Sequence, residues 1–414
     1  MDTLQEEENQ IQVRFVTQQK EYAVTDSAIL VPTKLRRYGL SEIINHLLGF
    51  EKPVPFDFMI DNQFLRTSLE EYLQTKELST ENILTIEYVE SMLPPTSLST
   101  FQHDDWISAV KVLSNSLFLT GSYDNHVRIF NTSGECLQTL LGHIAPIKSV
   151  AWVSVTDEHA ICLSASQDHG QYTPLYDCKG HKESVECISV NSSCTEFASV
   201  SLDSSILLWT TIQPEANEEI EKKSKRRKLN KDILAPIATM RGHVGPISSV
   251  MFDKNDSNKM YSGGWDHSIR VWDVETRTNI DTKICDKTVL GIACSDNLIA
   301  SGHSDKLVRI WDPRTEDSAM VKLTLSSHKN WVSCVSWSPK SQFMLASGSY
   351  DGTVKIWDIR SRTPLYTIQN SNSQEKNSLM KKLFCIDWDF DMILSGGEDN
   401  QLHLYGTKTL DIQS

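Results

Sequence analysis

The sequence predicts a small α+β domain followed by a larger all-β domain that is built from repeats. The larger domain is predicted from one motif, two small residues, any residue and an aspartate, which occurs seven times within residues 105–406. The smaller domain is predicted from residues 1–92, where short alternating strands flank one amphipathic helix. The length of 414 residues allows two or three domains.

The composition excludes several classes of protein. Hydrophobic residues make up 39% and charged residues 23% of the chain, a mixture that can form packed cores. The net charge of −14 argues against binding nucleic acid through the whole surface. No apolar run is long enough to cross a bilayer, and the acidic first residues lack the apolar core of a secretory signal. The nine scattered cysteines include no CxxC pair, which indicates reduced thiols in an intracellular protein.

Residues 1–92 show the order of elements of a ubiquitin-like (β-grasp) domain. The expected strands lie at residues 11–15, near 22–24, and at 56–60, 64–65 and 84–88, and the expected helix lies at 42–48. Ser41 is expected to cap this helix and Gly49 to end it. The domain carries 8 basic against 16 acidic residues, which favours a basic or metal-bearing partner.

Seven aspartates mark the repeats of the larger domain: Asp124, Asp168, Asp203, Asp266, Asp305, Asp351 and Asp399. The intervals between them are 44, 35, 63, 39, 46 and 48 residues, and all but one lie near the roughly 40–45 residue period of a WD40 propeller blade. Four copies place a tryptophan six residues after the aspartate, at Trp209, Trp272, Trp311 and Trp357. The pattern therefore predicts a seven-bladed WD40 propeller, in which each tryptophan anchors the third strand of its blade.

Four copies also place a histidine 22–25 residues before the aspartate, at His143, His181, His243 and His328. In a blade of four antiparallel strands, the aspartate occupies a tight turn, where its carboxylate can accept backbone and imidazole hydrogen bonds. An active site is singular whereas this pair recurs, so we assign these residues a structural role. The second copy has Pro174 in place of the tryptophan and is expected to be irregular, and the fifth and seventh copies lack the histidine.

The last copy ends close to residue 406, so the seventh blade is short of an outer strand. The segment at 96–102 is free to supply that strand and to close the ring. The predicted domains are thus a ubiquitin-like domain at 1–92, a linker with the closing strand at 93–104, a seven-bladed propeller at 105–406 and a tail at 407–414. Pro94 and Pro95 mark the boundary between the two domains.

The longest interval contains an insertion at residues 214–236, which is predicted to be a disordered loop on the rim of the propeller. Six of its residues form a basic cluster: Lys222, Lys223, Lys225, Arg226, Arg227 and Lys228. We interpret this cluster as a nuclear localisation signal. A local RNA contact and a merely solvated run of charge stay open as alternatives.

Several segments resemble one known family over essentially the whole chain. They are residues 35–49, 53–58 and 65–69 in the small domain and 103–106 at the start of the propeller. Together with the basic loop after the third blade, they resemble the WD-repeat subunit of the PeBoW (pescadillo / block-of-proliferation) ribosome-biogenesis complex in its fungal form. The resemblance implies a non-enzymatic assembly factor for the large (60S) ribosomal subunit, needed for maturation of 25S/28S and 5.8S rRNA in the nucleus, nucleolus and nucleoplasm.

The resemblance also implies partners. The propeller is expected to bind a block-of-proliferation-type WD-repeat protein, with a pescadillo-type protein bound indirectly, on the pre-60S particle and away from membranes. The ubiquitin-like domain is expected to bind the MIDAS domain of midasin, an AAA+ ATPase that releases the complex. In the family, a glutamate within a Leu-Ser-x-Glu run completes the coordination of midasin's metal ion, and Glu81 is its counterpart here. Mg²⁺ is expected only in that complex, and no cofactor is expected on this chain alone.

Two alternative functions stay open. A related notchless-type assembly factor also joins such a domain to a propeller and binds midasin, and an eighth blade would favour it. A substrate adaptor of a nuclear ubiquitin ligase is the other, and a copurifying ligase would favour that. An enzyme is not expected, because the sequence has no glycine-rich phosphate loop, nucleophile motif or metal-ligand spacing.

Overall fold

The computed structural model describes residues 9–50, 52–61, 63–78, 82–114, 117–155, 160–167, 177–211, 233–296, 298–314, 321–369 and 381–407. Within these ranges the chain forms two compact units, the second of which begins at Pro95. Neither of the two described α-helices has the length and apolar character that crossing a membrane requires.

The N-terminal unit is a five-stranded sheet with two helices. Its strands are β1 (Gln10–Val16), β2 (Ile29–Pro32), β3 (Phe56–Ile60), β4 (Gln63–Phe64) and β5 (Leu84–Glu90), in the order β2-β1-β5-β3-β4. β1 and β5 are parallel, and the other neighbours are antiparallel. Helices α1 (Arg37–Leu48) and α2 (Leu69–Lys76) pack apolar side chains, such as Leu40 and Leu69, into one core with the sheet.

Helix α1 begins at Arg37, five residues before the predicted start, and Ser41 is not its cap. The Ser41 hydroxyl lies inside the helix, where it donates to the Val54 carbonyl (3.3 Å) and accepts from the Phe56 amide (3.1 Å). Asn45 completes this link with two further bonds to the Val54 backbone, at 2.7 and 2.8 Å. Gly49 ends the helix as the sequence predicts, in the left-handed conformation with φ 69°.

One other expectation for this unit is wrong, and one helix was not expected. Residues 22–24 form no strand: Lys20–Tyr22 is a single 3-10 turn, and the second strand is β2. The Tyr22 ring packs edge-on against Phe56 at a centroid distance of 5.4 Å, and the Tyr88 hydroxyl accepts from the Val24 amide at 3.1 Å. Helix α2 was not expected, although Ser68 caps it by accepting from the Glu71 amide (3.3 Å), a capping pattern visible in the sequence.

The second unit contains seven successive antiparallel sheets among its described residues. The first comprises β7 (Ile107–Ser114), β8 (Leu117–Ser122), β9 (Val127–Asn131) and β10 (Cys136–Leu140), and the second comprises β11 (Ile147–Val155) and β12 (Ala160–Ser166). The third comprises β14 (Val185–Val190), β15 (Glu196–Ser201), β16 (Ser205–Thr210) and β18 (Ala238–Arg241), while β13 (Asp177–Cys178) and β17 (Ile233–Leu234) form a separate short parallel pair.

The remaining sheets each have four strands. The fourth comprises β19 (Ile247–Phe252), β20 (Lys259–Gly264), β21 (Ser268–Asp273) and β22 (Thr278–Ile284), and the fifth comprises β23 (Val289–Cys294), β24 (Ile299–His303), β25 (Leu307–Trp311) and β26 (Val321–Ser326). The sixth comprises β27 (Val332–Trp337), β28 (Met344–Ser349), β29 (Thr353–Asp358) and β30 (Pro364–Gln369), and the seventh comprises β31 (Leu383–Asp389), β32 (Met392–Gly397), β33 (Gln401–Gly406) and the early strand β6 (Thr96–Gln102).

These sheets form a closed ring, which is a β-propeller. The first strand of each sheet contacts the first strand of the next, and β31 of the last sheet contacts β7 of the first. Lys111 and Asp387 link these two sheets through an ion pair of 2.8 Å, and the Val112 amide donates to the same carboxylate at 2.9 Å. β6 pairs with β33 from Thr96 to Gln102, so an N-terminal strand supplies the outer edge of the last sheet.

A bulge near the start of the first strand repeats in all seven sheets, and a small residue follows it each time. These residues are Ala109, Ser149, Cys187, Ser249, Gly291, Cys334 and Cys385. Three of the nine cysteines are therefore explained by a repeated packing position. Burial raises the pKa of the Cys334 thiol to about 12 and that of Cys385 well above its ordinary value, so both stay protonated.

Candidate functional site

One backbone hydrogen bond recurs at the end of the second strand in every sheet. The amide of the residue before the turn aspartate donates to the carbonyl just ahead of the first strand, as Tyr123 does to Trp106 and Tyr350 does to Trp331, both at 2.8 Å. The equivalent donors in the other sheets are Gln167, Leu202, Trp265, Ser304 and Glu398. The bond holds the turn and the start of the first strand at the same end of each sheet. These ends form one face of the propeller, which we call the turn face.

In three sheets, the predicted histidine and aspartate belong to a chain of four side chains. The tryptophan Nε1 donates to a serine at 2.7–2.9 Å, the serine lies 2.7 Å from the histidine Nε2, and the histidine Nδ1 lies 2.8–3.1 Å from the carboxylate. The members are Trp209, Ser199, His181 and Asp203; Trp272, Ser262, His243 and Asp266; and Trp357, Ser347, His328 and Asp351.

Burial and hydrogen bonding together set the charges in these chains. Burial opposes ionisation of Asp266 and Asp351, but hydrogen bonds from the histidine and from neighbouring hydroxyl and amide groups outweigh it and lower the pKa of both carboxyl groups. Burial is the largest cause that lowers the pKa of His181 and His328. In the sixth sheet, an ionised Asp351 carboxylate therefore faces a neutral His328 imidazole at neutral pH.

These chains contain the serine, histidine and aspartate of a hydrolase triad, yet they cannot act as one. The hydroxyls of Ser262 and Ser347 are completely buried, and Ser199 is 4% exposed. Each of these hydroxyl oxygens also accepts a hydrogen bond from a buried indole. A nucleophile needs an open approach to its substrate, so the arrangement ties strands together instead.

The other turn aspartates have different partners. The pairs are Asp124 with Arg128 (2.6 Å), Asp305 with Arg309 (2.6 Å) and Asp399 with His403 (2.7 Å). In the second sheet, His143 contacts Ser164 at 2.7 Å, while Asp168 lies outside the described residues.

Two histidines that the repeat pattern did not single out occupy related positions. His303 lies on β24, and its Nε2 is 2.8 Å from Ser301, which accepts from the Trp311 indole at 2.7 Å. His103 follows the closing strand β6, and its Nε2 is 3.0 Å from Thr120. Burial is the main cause that lowers the pKa of each imidazole to about 4.

The turn face also carries a continuous cluster of aromatic rings, which we call the aromatic band. It runs across the sixth, seventh and first sheets, and its members are Trp331, Tyr350, Phe384, Trp106 and Tyr123. Successive ring centroids lie 5.5–6.2 Å apart, the normal separation of contacting aromatic side chains. Trp331 is 47% exposed and Trp106 is 38% exposed, so both ends of the band are open to a partner.

Two lysines border the aromatic band. The Lys148 ammonium lies 4.9 Å from the centroid of the Tyr123 ring and donates to its hydroxyl at 3.0 Å. The Lys382 ammonium lies 5.9 Å from the centroid of Tyr350 and 3.4 Å from a Glu398 carboxylate oxygen. The band therefore combines apolar ring surface with the positive charge of Lys148, while Glu398 balances the charge of Lys382. This combination suits recognition rather than catalysis.

The sequence contained a signal for this surface that the motif analysis did not use. The residue before the turn aspartate is variable in the repeats, and in three copies it is a large aromatic residue, at Tyr123, Trp265 and Tyr350. Trp265 is 50% exposed on the turn face of the fourth sheet. Tyr123 and Tyr350 are half-buried within the aromatic band, so an aromatic residue at this variable position marks two of its members, whereas Trp265 is a single exposed ring outside it.

The remaining predicted site residues lie outside the described ranges. They are Glu81, predicted to bind the metal of a partner, and the basic residues of the predicted localisation signal, Lys222, Lys223, Lys225, Arg226, Arg227 and Lys228.

Two family models match the chain. One, described as the NLE (NUC135) domain, covers residues 11–73 of the N-terminal unit. The other, described as the WD domain, G-beta repeat, covers residues 95–131, 172–210, 234–273, 284–312 and 320–358. The second match confirms the prediction of WD repeats in the propeller.

Curated relatives match the chain along nearly its whole length. A "Ribosome biogenesis protein WDR12 homolog" of Nematostella vectensis is 40% identical over 422 residues, which cover 96% of this chain and 99% of that protein. A "Ribosome biogenesis protein ytm1" of Schizosaccharomyces pombe is 37% identical and covers 98% of both chains. A "Ribosome biogenesis protein YTM1" of Vanderwaltozyma polyspora is 36% identical, covering 96% of this chain and 97% of its own.

Proposed function

Because the chain belongs to the family of the ribosome biogenesis proteins Ytm1 and WDR12, we propose that it is a non-enzymatic assembly factor of the large (60S) ribosomal subunit. The observation that carries this proposal is the similarity over at least 96% of the chain to proteins named for ribosome biogenesis. We further propose that the chain is needed for maturation of 25S/28S and 5.8S rRNA in the nucleolus and nucleoplasm.

We infer that the propeller has seven blades and that the N-terminal unit is ubiquitin-like. Support for seven blades comes from seven described sheets whose first strands contact one another in a closed cycle. Support for a ubiquitin-like fold comes from the parallel pairing of β1 with β5 in the middle of a sheet that packs against helix α1.

The two units are proposed to divide the work. The propeller scaffolds the complex by binding a block-of-proliferation-type WD-repeat protein, and through it a pescadillo-type protein, on the pre-60S particle. The N-terminal unit docks the MIDAS domain of midasin, with Glu81 completing the coordination of the Mg²⁺ ion held by that domain, so that ATP-driven force releases the complex. Each unit has its own hydrophobic core, which suits one unit that holds and another that is pulled.

Substitution of Glu81 tests the proposed function of the N-terminal unit. We expect Glu81→Ala to abolish copurification of midasin, because a metal ligand is lost, while the block-of-proliferation-type partner still copurifies. Glu42→Ala is the matched control, since Glu42 is an exposed acidic residue on helix α1 and its replacement makes the same change in charge. Normal midasin binding and normal release from pre-60S particles by Glu81→Ala would contradict the proposal.

The same purification separates the two alternative functions. The notchless-type alternative is disfavoured, because full-length relatives carry the Ytm1 and WDR12 names and the described residues contain no eighth propeller sheet. A ubiquitin ligase in place of pre-ribosomal proteins would identify a substrate adaptor instead.

Substitution of the basic residues at 222–228 by alanine tests nuclear import, and we expect the variant chain to accumulate outside the nucleus.

A further inference from the structure

We propose that the aromatic band on the turn face binds an extended acidic segment of another protein, with an apolar side chain lying on the rings and a carboxylate at Lys148. This inference deepens the proposed function, because it rests on the propeller being the unit that holds a protein partner, and it names the surface and the chemistry of the segment.

The size of the aromatic band fits an extended segment. From Trp106 through Phe384 and Tyr350 to Trp331, each step between ring centroids measures 5.8 Å. An extended chain advances about 3.3 Å per residue, so a segment of about five residues can follow the rings from end to end. Because alternate side chains of such a segment point to the same side, two or three of them can lie on the aromatic surface at once.

The band has the composition of an interaction hot spot. Tryptophan and tyrosine dominate the binding energy of many protein interfaces, because they bury a large area and lose little conformational entropy. Here the inner rings, such as Phe384, are half-buried and held by their neighbours, whereas both terminal tryptophans are 38% or more exposed. The surface is thus preorganised before binding, which reduces the entropic cost of association.

The lysines at the border determine the charge of the segment. Lys382 already contacts Glu398. Among the described residues, no carboxylate forms an ion pair with Lys148, and the ammonium of Lys148 donates to the Tyr123 hydroxyl. A carboxylate of the bound segment can therefore pair with Lys148. Since the whole chain carries −14, acidic polypeptides are repelled in general, and binding depends on this local positive charge and on the apolar contact beside it.

Single-stranded RNA is the other polymer that stacks on aromatic rings beside lysines. Its backbone requires a groove with repeated positive charge, whereas the border of the band has Lys148 together with a lysine that is already paired. The charge pattern therefore favours a protein segment, and RNA binding becomes an outcome of the test.

Peptide display on the full-length chain tests the chemistry. A random twelve-residue library is selected on the wild-type chain and, in parallel, on the double variant W106A/W331A. We expect the wild type to enrich peptides that combine Asp or Glu with an aromatic, leucine or proline residue, and we expect the double variant to bind the same peptides at least tenfold more weakly. K148E should weaken them by a similar factor.

Trp265→Ala is the matched control, because Trp265 is an equally exposed tryptophan on the turn face outside the aromatic band. It should bind the selected peptides as the wild type does, and circular dichroism should show that all variants are folded. The proposal is overturned if no peptides are enriched, if the enriched peptides lack carboxylates, or if the double variant binds them as the wild type does. Loss of fluorescent oligouridine binding in the double variant would overturn it in favour of RNA.

Copurification from cells keeps this inference separate from the proposed function. If the wild-type chain copurifies with large-subunit precursors and W106A/W331A copurifies equally well, the docking surface is wrong and the proposed function stands. If the wild-type chain itself does not copurify with those precursors, the proposed function is wrong.

Discussion

At the scale of single residues, the surroundings of a serine–histidine–aspartate group decide what it does. In the third, fourth and sixth sheets, the serine hydroxyl is held between an imidazole and an indole and is shielded from solvent. The carboxylate at the other end also accepts from backbone amides, as Asp351 does from Lys329 in the loop before β27 (2.8 Å) and from Thr353 at the start of β29 (3.0 Å). These bonds join two neighbouring strands, the turn between them and the loop before the first strand, so their effect is on stability.

We expect Asp351→Asn to lower the free energy of unfolding by about 2–4 kcal/mol, because a buried charge-assisted network loses its acceptor. Asp351 accepts from His328, from the Lys329 amide and from Thr353. Urea unfolding followed by tryptophan fluorescence measures the change. Asp286→Asn is the control, because the Asp286 side chain is 88% exposed, and its effect should stay within about 0.5 kcal/mol. Equal unfolding midpoints for the two variants would contradict the structural role.

The sequence indicated these networks in part. The spacing of His181, His243 and His328 from the turn aspartates predicted which side chains meet. It did not identify His303, which lies on the second strand only two residues before Asp305, or His403, which follows Asp399 on the third strand. A motif defined by spacing along the chain misses such residues, because a different strand brings the imidazole into the same region of the blade.

At the scale of elements, the closing strand β6 depends on one buried side chain. Most of β6 is exposed, but Phe101 is 8% exposed and stacks on Phe118 and Phe130 at centroid distances of 5.6 and 6.0 Å. The left-handed turn at Gly134 (φ 87°) packs against the same ring, so closely that a side chain there would overlap it. The ring therefore connects the outer edge of the seventh sheet to the first sheet.

We expect Phe101→Ala to destabilise the propeller by about 3 kcal/mol, from lost burial and the cavity left behind. Leu98→Ala on the same strand is the control, since Leu98 is 53% exposed, and it should cost less than about 1 kcal/mol. Urea unfolding of both variants provides the comparison. If the two variants lose the same stability, Phe101 does not determine how the strand is held.

Elements with a repeated pattern could be predicted, and elements held by distant polar contacts could not. The closing strand follows from the missing outer strand of the last repeat. In contrast, Ser41 has the composition of a helix cap but bonds to the Val54 and Phe56 backbone. Similarly, Tyr22 reads as part of a strand because it is apolar and lies near Val24, yet its ring packs into the core from a 3-10 turn. In both cases a contact remote in sequence decides the local structure.

At the scale of the whole molecule, buried histidines are distributed around the ring. His103, His181, His303 and His328 all have a lowered pKa, with burial as the largest cause. The unfolded chain binds protons to these imidazoles near the ordinary pKa of 6.5, above the value in the folded state. Proton uptake below pH 6.5 therefore favours unfolding, and stability is lost as the pH falls.

Between pH 7 and pH 5, we expect a loss of about 2 kcal/mol for each histidine with a folded pKa of about 4. Urea unfolding at several pH values measures this slope. The variant H303Q should be less stable than the wild type at pH 7 but should lose less stability on acidification. An identical pH dependence of the two proteins would contradict the assignment. Carboxylates with a lowered pKa add to the loss only below about pH 4.

The repeat period predicted the propeller, but the aromatic band could not be read from it. The band joins residues from Trp106 to Phe384, which are far apart in the chain and become neighbours only because the last sheet contacts the first. The neighbours Tyr123 and Tyr350 belong to different repeats, and their turns look alike in the sequence. Closure of the ring creates this surface. The band therefore lies where the last repeat meets the first.

The pairing of β6 with β33 also has a consequence for synthesis of the chain. Gln102 and its partner Gln401 are separated by 299 residues. At translation rates of roughly 5–20 residues per second, the early strand waits about 15–60 seconds for its partner to leave the ribosome. Throughout that interval the nascent chain exposes an unpaired strand, a state that invites aggregation. The seventh sheet can therefore be completed only after almost the whole chain has been synthesised.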